Sequence, residues 1–421
     1  MRRVILLAFL FALAGWLVLV GGCSQGGQPT QQPPEQGTGT KQNTGPIKIG
    51  APLPLTGAYA ADGEHMSLGL TMAVEDLNAR GGLLGRQVEL ITYDIQDLLA
   101  ETVTASAKSL VEKDHVSVVV AGYAGYGPDF LSYGKYEVPY LHGSGSVRGA
   151  ELVRDNPAEY GNIFQVFPIE ASYGKRAFEV ITGFPYQYPN KKMALVHGDL
   201  EWDLNYTKGI KELAEQQGWE IVMDETVPYG TTEWRPVLTQ IRSLKPSVIC
   251  CSTLSVPDIS SFVRQFRENP TNSLLDISYM VVFQEVKDAT GSDLDGVMGY
   301  VTSLVRPTPD GQEWKQRFEK RFGMPVPLTT PPSTYDTVMI WAKAVERVGN
   351  PDDYKAVCEA IRTHPYEGLL GKYDFNNPEQ TVRTGPDFPI AYAQRQNGEL
   401  KFYGQDTFIL PPWIQPAWPK K

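Results

Sequence analysis

The chain has 421 residues, with 48 acidic against 38 basic side chains and a formal net charge of −10 at pH 7. This acidic balance argues against nucleic-acid binding, which needs a basic surface, and mainly indicates solubility. The length exceeds that of a usual single domain, so we expect two lobes.

The N-terminus carries the pattern of an export signal. Two arginines precede a nearly continuous apolar run from Val4 to Val20, and Cys23 follows a pair of glycines. We predict a lipoprotein signal peptide over 1–22 and a lipidated Cys23, since the run is near the lower length limit for the alternative, an uncleaved membrane anchor. Residues 23–46 are rich in Gln, Gly, Pro and Thr and predict a flexible linker. The protein is therefore expected outside the cytoplasm, anchored to the membrane by lipid.

The first folded segment, Ile47 to Asp97, indicates a strand, a loop, a helix, a glycine-rich turn and a second strand. Apolar residues alternate from Ile47, recur at helical spacing from Met66 to Leu77, and alternate again from Val88. This pattern predicts a βαβ unit. Its first loop lies at the carboxyl end of a strand, where open α/β sheets bind ligands.

Strands and helices continue to alternate along the chain. The further strands are predicted over 116–121, 138–141, 193–197, 219–225, 246–252, 277–283 and 296–301, and residues 162–167 are expected to lead toward the second lobe. The further helices are predicted over 101–113, 205–217, 234–244, 258–267, 314–322, 334–348 and 353–362. Asn397-Gly398 predicts a late hairpin between 388–395 and 400–403. Such alternation predicts two doubly wound α/β lobes, with the chain crossing between them near 167–169, 299–303 and 375–378.

Signatures of catalysis and metal binding are absent from the sequence. It has no GxSxG, HExxH or phosphate-loop motif, and its five histidines lack ligand spacing. Adjacent Cys250 and Cys251 would point to opposite faces of a strand, and Cys358 is alone in a helix, so we expect three buried free thiols. We predict a protein that is not an enzyme and needs no cofactor and no metal.

Several motifs carry a family resemblance. Thr56-Gly57 in the first loop, the turn DLNARGGLLGR and the strand end Tyr93-Asp94 resemble the start of the type I periplasmic binding proteins, the branched-chain amino acid receptors of ABC importers. The late segment Gly371–Phe375 is also similar, so the resemblance covers nearly all of the chain after the linker. It implies two Rossmann-like lobes joined by a hinge of three crossings. The implied segments are lobe one over 47–167 and 303–376, lobe two over 168–302 and 377–410, and a Pro/Trp-rich tail over 411–421.

Loops at strand ends supply the candidate ligand site of lobe one. Ser144, Gly145 and Ser146 offer hydroxyls and backbone N–H groups that can hold an anion, although alone such a loop would indicate an ordinary turn. The resemblance implies that this loop holds the carboxylate of the ligand. Tyr123 and Tyr126, in the preceding loop, suit an apolar group or a hydrogen-bond acceptor.

Asp62 stands where these receptors usually carry an aromatic or small polar residue. Its carboxylate could pair with a cationic or amide group of the ligand, or cap a helix beginning near Glu64. We prefer the capping role, but the residue is a reason not to assume that the ligand is leucine.

The resemblance also implies ligand contacts from lobe two. Trp202 matches an aromatic residue that lies over the ligand, with a tryptophan packed on the lobe surface as the alternative. The other implied contacts are Leu254, Ser255, Phe283, Gln284 and Glu285. Of these, Glu285 would meet the ammonium group of an amino acid.

These observations predict a lipid-anchored solute-binding protein. It would deliver a branched-chain amino acid or a related amino-acid-like solute to an ABC importer by hinge closure. The expected partners are the solute, the permease subunits and the membrane, and we expect a monomer that binds no nucleic acid. The alternative ligand is an aromatic acid, an amide or a urea-like solute, and the alternative role is that of a sensor.

Overall fold

The computed structural model describes residues 45–125 and 127–414. The predicted signal peptide, the lipidated Cys23, nearly all of the linker, Tyr126 and the tail after Ile414 lie outside these residues. No helix in the described ranges is both long and apolar enough to cross a membrane.

The strands and helices alternate for most of the described chain. The strands are β1 Ile47–Leu53, β2 Val88–Asp94, β3 Val118–Ala121, β4 Tyr140–His142, β5 Ile163–Gln165, β6 Lys192–Gly198, β7 Glu220–Val227, β8 Val248–Ser252, β9 Leu274–Asp276, β10 Met298–Val301, β11 Tyr366–Glu367, β12 Lys372–Tyr373, β13 Ala391–Gln396 and β14 Glu399–Phe402. The α-helices are α1 Ala60–Ala79, α2 Ala100–Ala107, α3 Pro128–Tyr133, α4 Val147–Asp155, α5 Pro157–Tyr160, α6 Glu170–Thr182, α7 Glu201–Gln216, α8 Arg235–Leu244, α9 Val256–Glu268, α10 Gln284–Thr290, α11 Pro309–Phe322, α12 Pro331–Val348 and α13 Tyr354–Thr363.

Two sheets, each covered by helices, form the two predicted lobes. Lobe one is built on the parallel sheet β2-β1-β3-β4-β5. Lobe two is built on the sheet β14-β13-β10-β9-β8-β6-β7, in which β6 to β10 are parallel. Strands β3, β4 and β8 are buried throughout, as expected for parallel strands covered on both faces. The predicted α/β fold with two doubly wound lobes is confirmed.

The parallel strands follow the same order in both lobes. The order β2-β1-β3-β4-β5 in lobe one is repeated as β7-β6-β8-β9-β10 in lobe two. In such a sheet the order reverses next to the first strand, and ligands bind outside the carboxyl ends of the strands at that point. The loops after β1 and β3 and those after β6 and β8 therefore frame a site.

The late hairpin is confirmed. Strands β13 and β14 pair antiparallel around Asn397 and Gly398, whose φ angles are 52° and 78°. Both residues lie in the left-handed region that a two-residue hairpin turn requires. Upstream, Thr381 forms a bridge with Gln165 of β5, and the amide of Val382 donates to the Gln165 carbonyl oxygen (3.0 Å). The chain is therefore still part of lobe one at Val382.

Two predicted elements are wrong in their details. Residues 277–283 do not form a strand, because β9 ends at Asp276 and a 3-10 helix spans Ser278–Val282. All residues of this 3-10 helix are buried. The sequence therefore lacks the alternation of polar and apolar residues that would distinguish a helix from a strand. The first helix begins at Ala60, so Asp62 lies inside its first turn and does not cap a helix beginning near Glu64. A carboxylate in this position is still favoured by the helix dipole.

Two buried aspartates, Asp276 and Asp336, are held by tyrosine hydroxyls and not by basic side chains. Asp276 accepts from Tyr206 (2.7 Å) and Tyr392, and Asp336 accepts from Tyr373 (2.8 Å). Burial raises the pKa of Asp276 to about 6 and that of Asp336 to about 7. The hydrogen bonds from the tyrosines oppose this rise because they stabilise the ionised carboxylates.

The three described cysteines, Cys250, Cys251 and Cys358, are buried free thiols, as predicted. Desolvation raises the pKa of all three, that of Cys358 to about 12. They are therefore protonated at neutral pH and poor nucleophiles.

Candidate ligand-binding site

A small cavity of about 30 Å³ lies between the two lobes. In this closed structure it has room for little more than a water molecule. The lining residues are Gly122, Tyr123, Gly143, Phe167, Trp202, Leu254, Tyr279, Tyr300, Thr302 and Thr330. A larger surface groove of about 460 Å³ lies beside Tyr136 and Cys358 in lobe one. We place the site in the smaller cavity because loops of both sheets converge there.

Asp62 connects the lobes through two tyrosines of the lining. Its carboxylate accepts from the hydroxyl of Tyr123 in lobe one (2.7 Å) and from that of Tyr279 in lobe two (2.9 Å). Only 6% of Asp62 is exposed, and desolvation raises the pKa of the carboxyl group while both hydroxyls oppose that rise. The Asp62 carboxylate was predicted either to cap a helix or to meet the ligand. It instead lies behind Tyr123 and Tyr279, which line the cavity.

Trp202 closes the cavity over the loop after β4. It lies in the first turn of α7, and its Nε1 donates to the Tyr300 hydroxyl (2.9 Å). Its ring approaches Gly145 so closely that an added Cβ there would lie 2.8 Å from the ring. Gly145 also has a φ of 63°, which favours glycine. Loop and tryptophan therefore fit together only because this position has no side chain.

The loop predicted to hold a carboxylate uses most of its amides internally. The Ser144 N–H donates to His142 Nδ1 (3.2 Å), and the Ser146 N–H donates to Gln165 Oε1 (2.7 Å). Burial lowers the pKa of His142 to about 3, so the ring is neutral and can accept. The Ser146 hydroxyl caps α4 by accepting from the Gly149 amide (3.1 Å). The Ser144 hydroxyl is buried and has no partner, but Ser144, Gly145 and Ser146 are not among the residues that line the cavity.

Glu170 forms a second connection between the lobes. It is fully buried at the start of α6, and its Oε2 accepts from the Val147 amide at the start of α4 (2.7 Å). Its own N–H donates to the Gly145 carbonyl (2.8 Å). Burial raises the pKa of Glu170 to about 8. An acidic side chain of lobe two thus satisfies an amide of lobe one that the helix itself leaves unpaired.

Leu254 and Ser255 follow β8, as predicted, but they differ in what they contact. Leu254 lines the cavity, and its amide donates to the Tyr229 hydroxyl (2.8 Å). Ser255 is the N-cap of α9, and its hydroxyl donates to the carboxylate of Asp258 (2.7 Å). Leu254 therefore faces the cavity, whereas the hydroxyl of Ser255 is used within lobe two.

The third predicted loop of lobe two lies mostly away from the cavity. Phe283 is buried and packs edge-on against Tyr279, with 4.9 Å between the ring centroids. Gln284 and Glu285 are exposed on the first turn of α10 and are not among the lining residues.

Seven lining residues were not identified as site residues from the sequence: Gly122, Gly143, Phe167, Tyr279, Tyr300, Thr302 and Thr330. Placing the end of β9 at Asp276 would have identified Tyr279, since cleft residues follow strand ends. Thr302 similarly follows β10. Thr330 comes just before α12, and no local pattern connects it to the site. Within the described ranges, no group of three or more His, Cys, Asp or Glu residues is placed to hold a metal ion.

Comparisons with known proteins agree with this fold. The model of the periplasmic binding protein family matches residues 46–396. An amino acid binding protein of Pseudomonas aeruginosa is 24% identical over 336 residues, which cover 78% of this chain and 86% of that protein.

Two solved structures share the fold. A crystal structure from Silicibacter pomeroyi, assigned to a branched-chain amino acid ABC transporter, has a TM-score of 0.79 at 27% identity and covers 87% of this chain and 100% of that one. The substrate-binding protein LivJ from Streptococcus pneumoniae, solved with isoleucine, has a TM-score of 0.73 at 19% identity and covers 85% and 98%. Because the family model spans well over half of the sequence, the chain belongs to the periplasmic binding protein family, whose members found here are binding proteins and not enzymes.

Proposed function

We propose that this protein captures a small solute between its lobes and delivers it to the permease of an ABC importer. The observation that carries this proposal is the cavity whose lining comes from loops of both sheets. The proposed solute is a branched-chain amino acid or a related amino-acid-like compound, which the small closed cavity would admit only after the lobes separate. The solute-binding names of the relatives support the same role.

Hinge closure is the proposed mechanism of capture. Three contacts join the lobes around the cavity: Asp62 with Tyr279, Trp202 with Gly145, and Glu170 with Val147. A solute can enter such a cavity only when the lobes separate, and the closed form then offers a surface of both lobes to the permease. The proposed hinge consists of the three crossings, with the third placed after Val382.

We also propose an extracytoplasmic location with a lipid on Cys23. The Val20-Gly21-Gly22-Cys23 sequence supports lipidation. Cys23→Ser is expected to move the protein from the membrane fraction to the soluble fraction of the producing cell. An unchanged distribution would contradict the anchor without affecting solute binding.

Solute binding is tested by thermal unfolding with amino acids, aromatic acids, amides and ureas. A solute that binds the folded state stabilises it by RT ln(1 + [L]/Kd), and therefore raises Tm. Ser144→Ala should weaken the binding of the solute identified by about 3- to 10-fold, since a hydrogen bond contributes about 0.5–1.5 kcal/mol. Ser260→Ala is the matched control, because Ser260 also has a buried hydroxyl without a partner, on α9. The proposal fails if no solute in the panel raises Tm.

A further inference from the structure

The side chain of Gln165 connects the loop after β4 with two other parts of the chain. Gln165 is buried at the end of β5, and its Oε1 accepts from the Ser146 amide (2.7 Å). Its Nε2 donates to the Thr381 hydroxyl (2.6 Å). Thr381 in turn donates to the carbonyl oxygen of Phe167 (3.1 Å), a residue of the cavity lining. These buried residues are therefore joined by one series of hydrogen bonds.

The chemistry of the groups fixes the direction of each bond in the series. The Ser146 N–H can only donate, so it must face the oxygen of the Gln165 carboxamide and not the nitrogen. The nitrogen then donates to Thr381, whose single hydroxyl hydrogen is left for the Phe167 carbonyl oxygen. An ionised carboxylate could accept from Ser146 but could not donate to Thr381, and an apolar side chain could do neither. A carboxamide meets both requirements.

The backbone of Gln165 takes part in the same connection. Its N–H donates to the Gln380 carbonyl oxygen (2.9 Å), and its own carbonyl oxygen accepts from the Val382 N–H (3.0 Å). The first proposed crossing begins at Phe167, and the third follows Val382. Gln165 therefore holds these two crossings side by side where they leave lobe one.

The loop that Gln165 holds also contacts lobe two. Gly145 directly precedes Ser146, and the Trp202 ring lies so close to it that an added Cβ would be 2.8 Å away. The carbonyl oxygen of Gly145 accepts from the Glu170 N–H (2.8 Å). A shift of Ser146 would move Gly145 with it, so the fit between the lobes depends on the bond from Ser146 to Gln165.

We propose that Gln165 is a positioning residue for solute capture. Together with Thr381 it holds the first and third crossings and the loop after β4 in one arrangement, so that hinge closure brings Gly145 against Trp202. Gln165 and Thr381 are not among the residues that line the cavity, so neither has to touch the solute. The role rests on the proposed function, because it is a role in hinge closure.

Thr381→Val tests the connection at its far end and without solute. Valine is similar in shape but has no hydroxyl, so Gln165 Nε2 loses this acceptor and the Phe167 carbonyl oxygen loses this donor. In hydrogen exchange followed by mass spectrometry, amides over 143–149 should exchange at least fivefold faster than in the wild type. Thr337→Val is the matched control, since it removes another buried hydroxyl of lobe one, which donates to the Ser333 carbonyl oxygen (2.7 Å). The control should leave exchange over 143–149 unchanged, and an unchanged rate in Thr381→Val overturns the proposal.

Thr381→Ser separates the hydrogen bonds from the packing of the side chain. Serine keeps the hydroxyl and loses only a methyl group, so exchange over 143–149 should stay within twofold of the wild type. Equal acceleration in Thr381→Ser and Thr381→Val overturns the proposal, because the methyl group would then be responsible.

A further variant covers the case in which Thr381→Val does not fold. Gln165→Met keeps the length of the side chain but removes both of its hydrogen bonds. Exchange should then rise at both ends of the series, over 143–149 and over 380–383. A rise at one end alone overturns the proposal.

The consequence for capture is measured by calorimetry with L-isoleucine. Thr381→Val should bind this probe at least fivefold more weakly than the wild type, and Thr381→Ser less than twofold more weakly. Equal affinities of the wild type and Thr381→Val overturn the positioning role. If the wild type does not bind L-isoleucine, that solute is excluded from the proposed function, and the exchange experiments, which need no solute, still decide the role of Gln165.

Discussion

Glu170 offers a direct test of how burial controls the charge of this protein. Its carboxyl group is buried between α6 and α4, where it accepts from the Val147 amide. Burial raises its pKa from 4.5 to about 8, so the folded chain holds a proton at neutral pH that the unfolded chain has released. Glu170→Gln keeps an oxygen that accepts from the same amide but cannot ionise.

The size of the effect follows from the pKa change. Because the folded pKa lies above the unfolded value, the contribution to stability is fully present below about pH 4.5 and is lost as pH rises through about 8. One pKa unit corresponds to about 1.4 kcal/mol. Between about pH 5 and pH 8, the wild type should therefore lose about 3–4 kcal/mol of unfolding free energy relative to Glu170→Gln.

The assay is urea unfolding of both proteins at several pH values across this range. Glu170→Gln should gain stability relative to the wild type as pH rises, while the two proteins differ least near pH 5. Glu215→Gln, which changes an exposed glutamate on α7, is the control and should parallel the wild type. Parallel curves for the wild type and Glu170→Gln would show that burial does not raise this pKa.

Two glycine substitutions test the close approaches in the structure. Gly145→Ala would place a Cβ 2.8 Å from the Trp202 ring and should lower solute affinity at least tenfold in calorimetry. Gly85→Ala is the control, because Gly85 has a φ of 74° and therefore similar backbone strain, but open space around it. This variant should keep the wild-type affinity for the solute. An equal loss of affinity in both variants would contradict the role of the contact between Gly145 and Trp202. Gly69→Ala would place a Cβ 2.1 Å from the Pro331 carbonyl oxygen. In urea unfolding this variant should therefore be less stable than the wild type by about 1–3 kcal/mol or more. Without the close contact, alanine would be expected to stabilise the helix by about 0.5–1 kcal/mol relative to glycine. A stabilised Gly69→Ala variant would refute this packing of α1 on α12.

Much of the architecture could be predicted from apolar spacing and turn residues. Asn397-Gly398 identifies its hairpin because both residues accept the left-handed conformation that the turn requires. The run over 277–283 was assigned wrongly because it is buried on every side, and a strand and a 3-10 helix then show no difference in polarity. Local patterns therefore suffice where one face of an element is exposed, and fail where none is.

The candidate site could be predicted only as far as strand ends could be located. Trp202 and Leu254 come shortly after β6 and β8, and the structure places both at the cavity. The partner of Asp62 in lobe two, Tyr279, lies 217 positions further along the chain. Whether that carboxylate caps a helix or joins two lobes depends on this distant contact, which no spacing in the sequence reveals.

The tyrosine-bound aspartates also bear on salt tolerance. Asp62, Asp276 and Asp336 are buried and hydrogen-bonded to phenols, whereas each ion pair between described residues includes at least one partly exposed side chain. Dissolved ions weaken exposed charge pairs but screen buried groups much less. A protein proposed to work outside the cytoplasm meets an ionic strength that the cell does not regulate. Polar contacts of this kind would hold the interior and the lobe contact at Asp62 together in fresh and saline water alike.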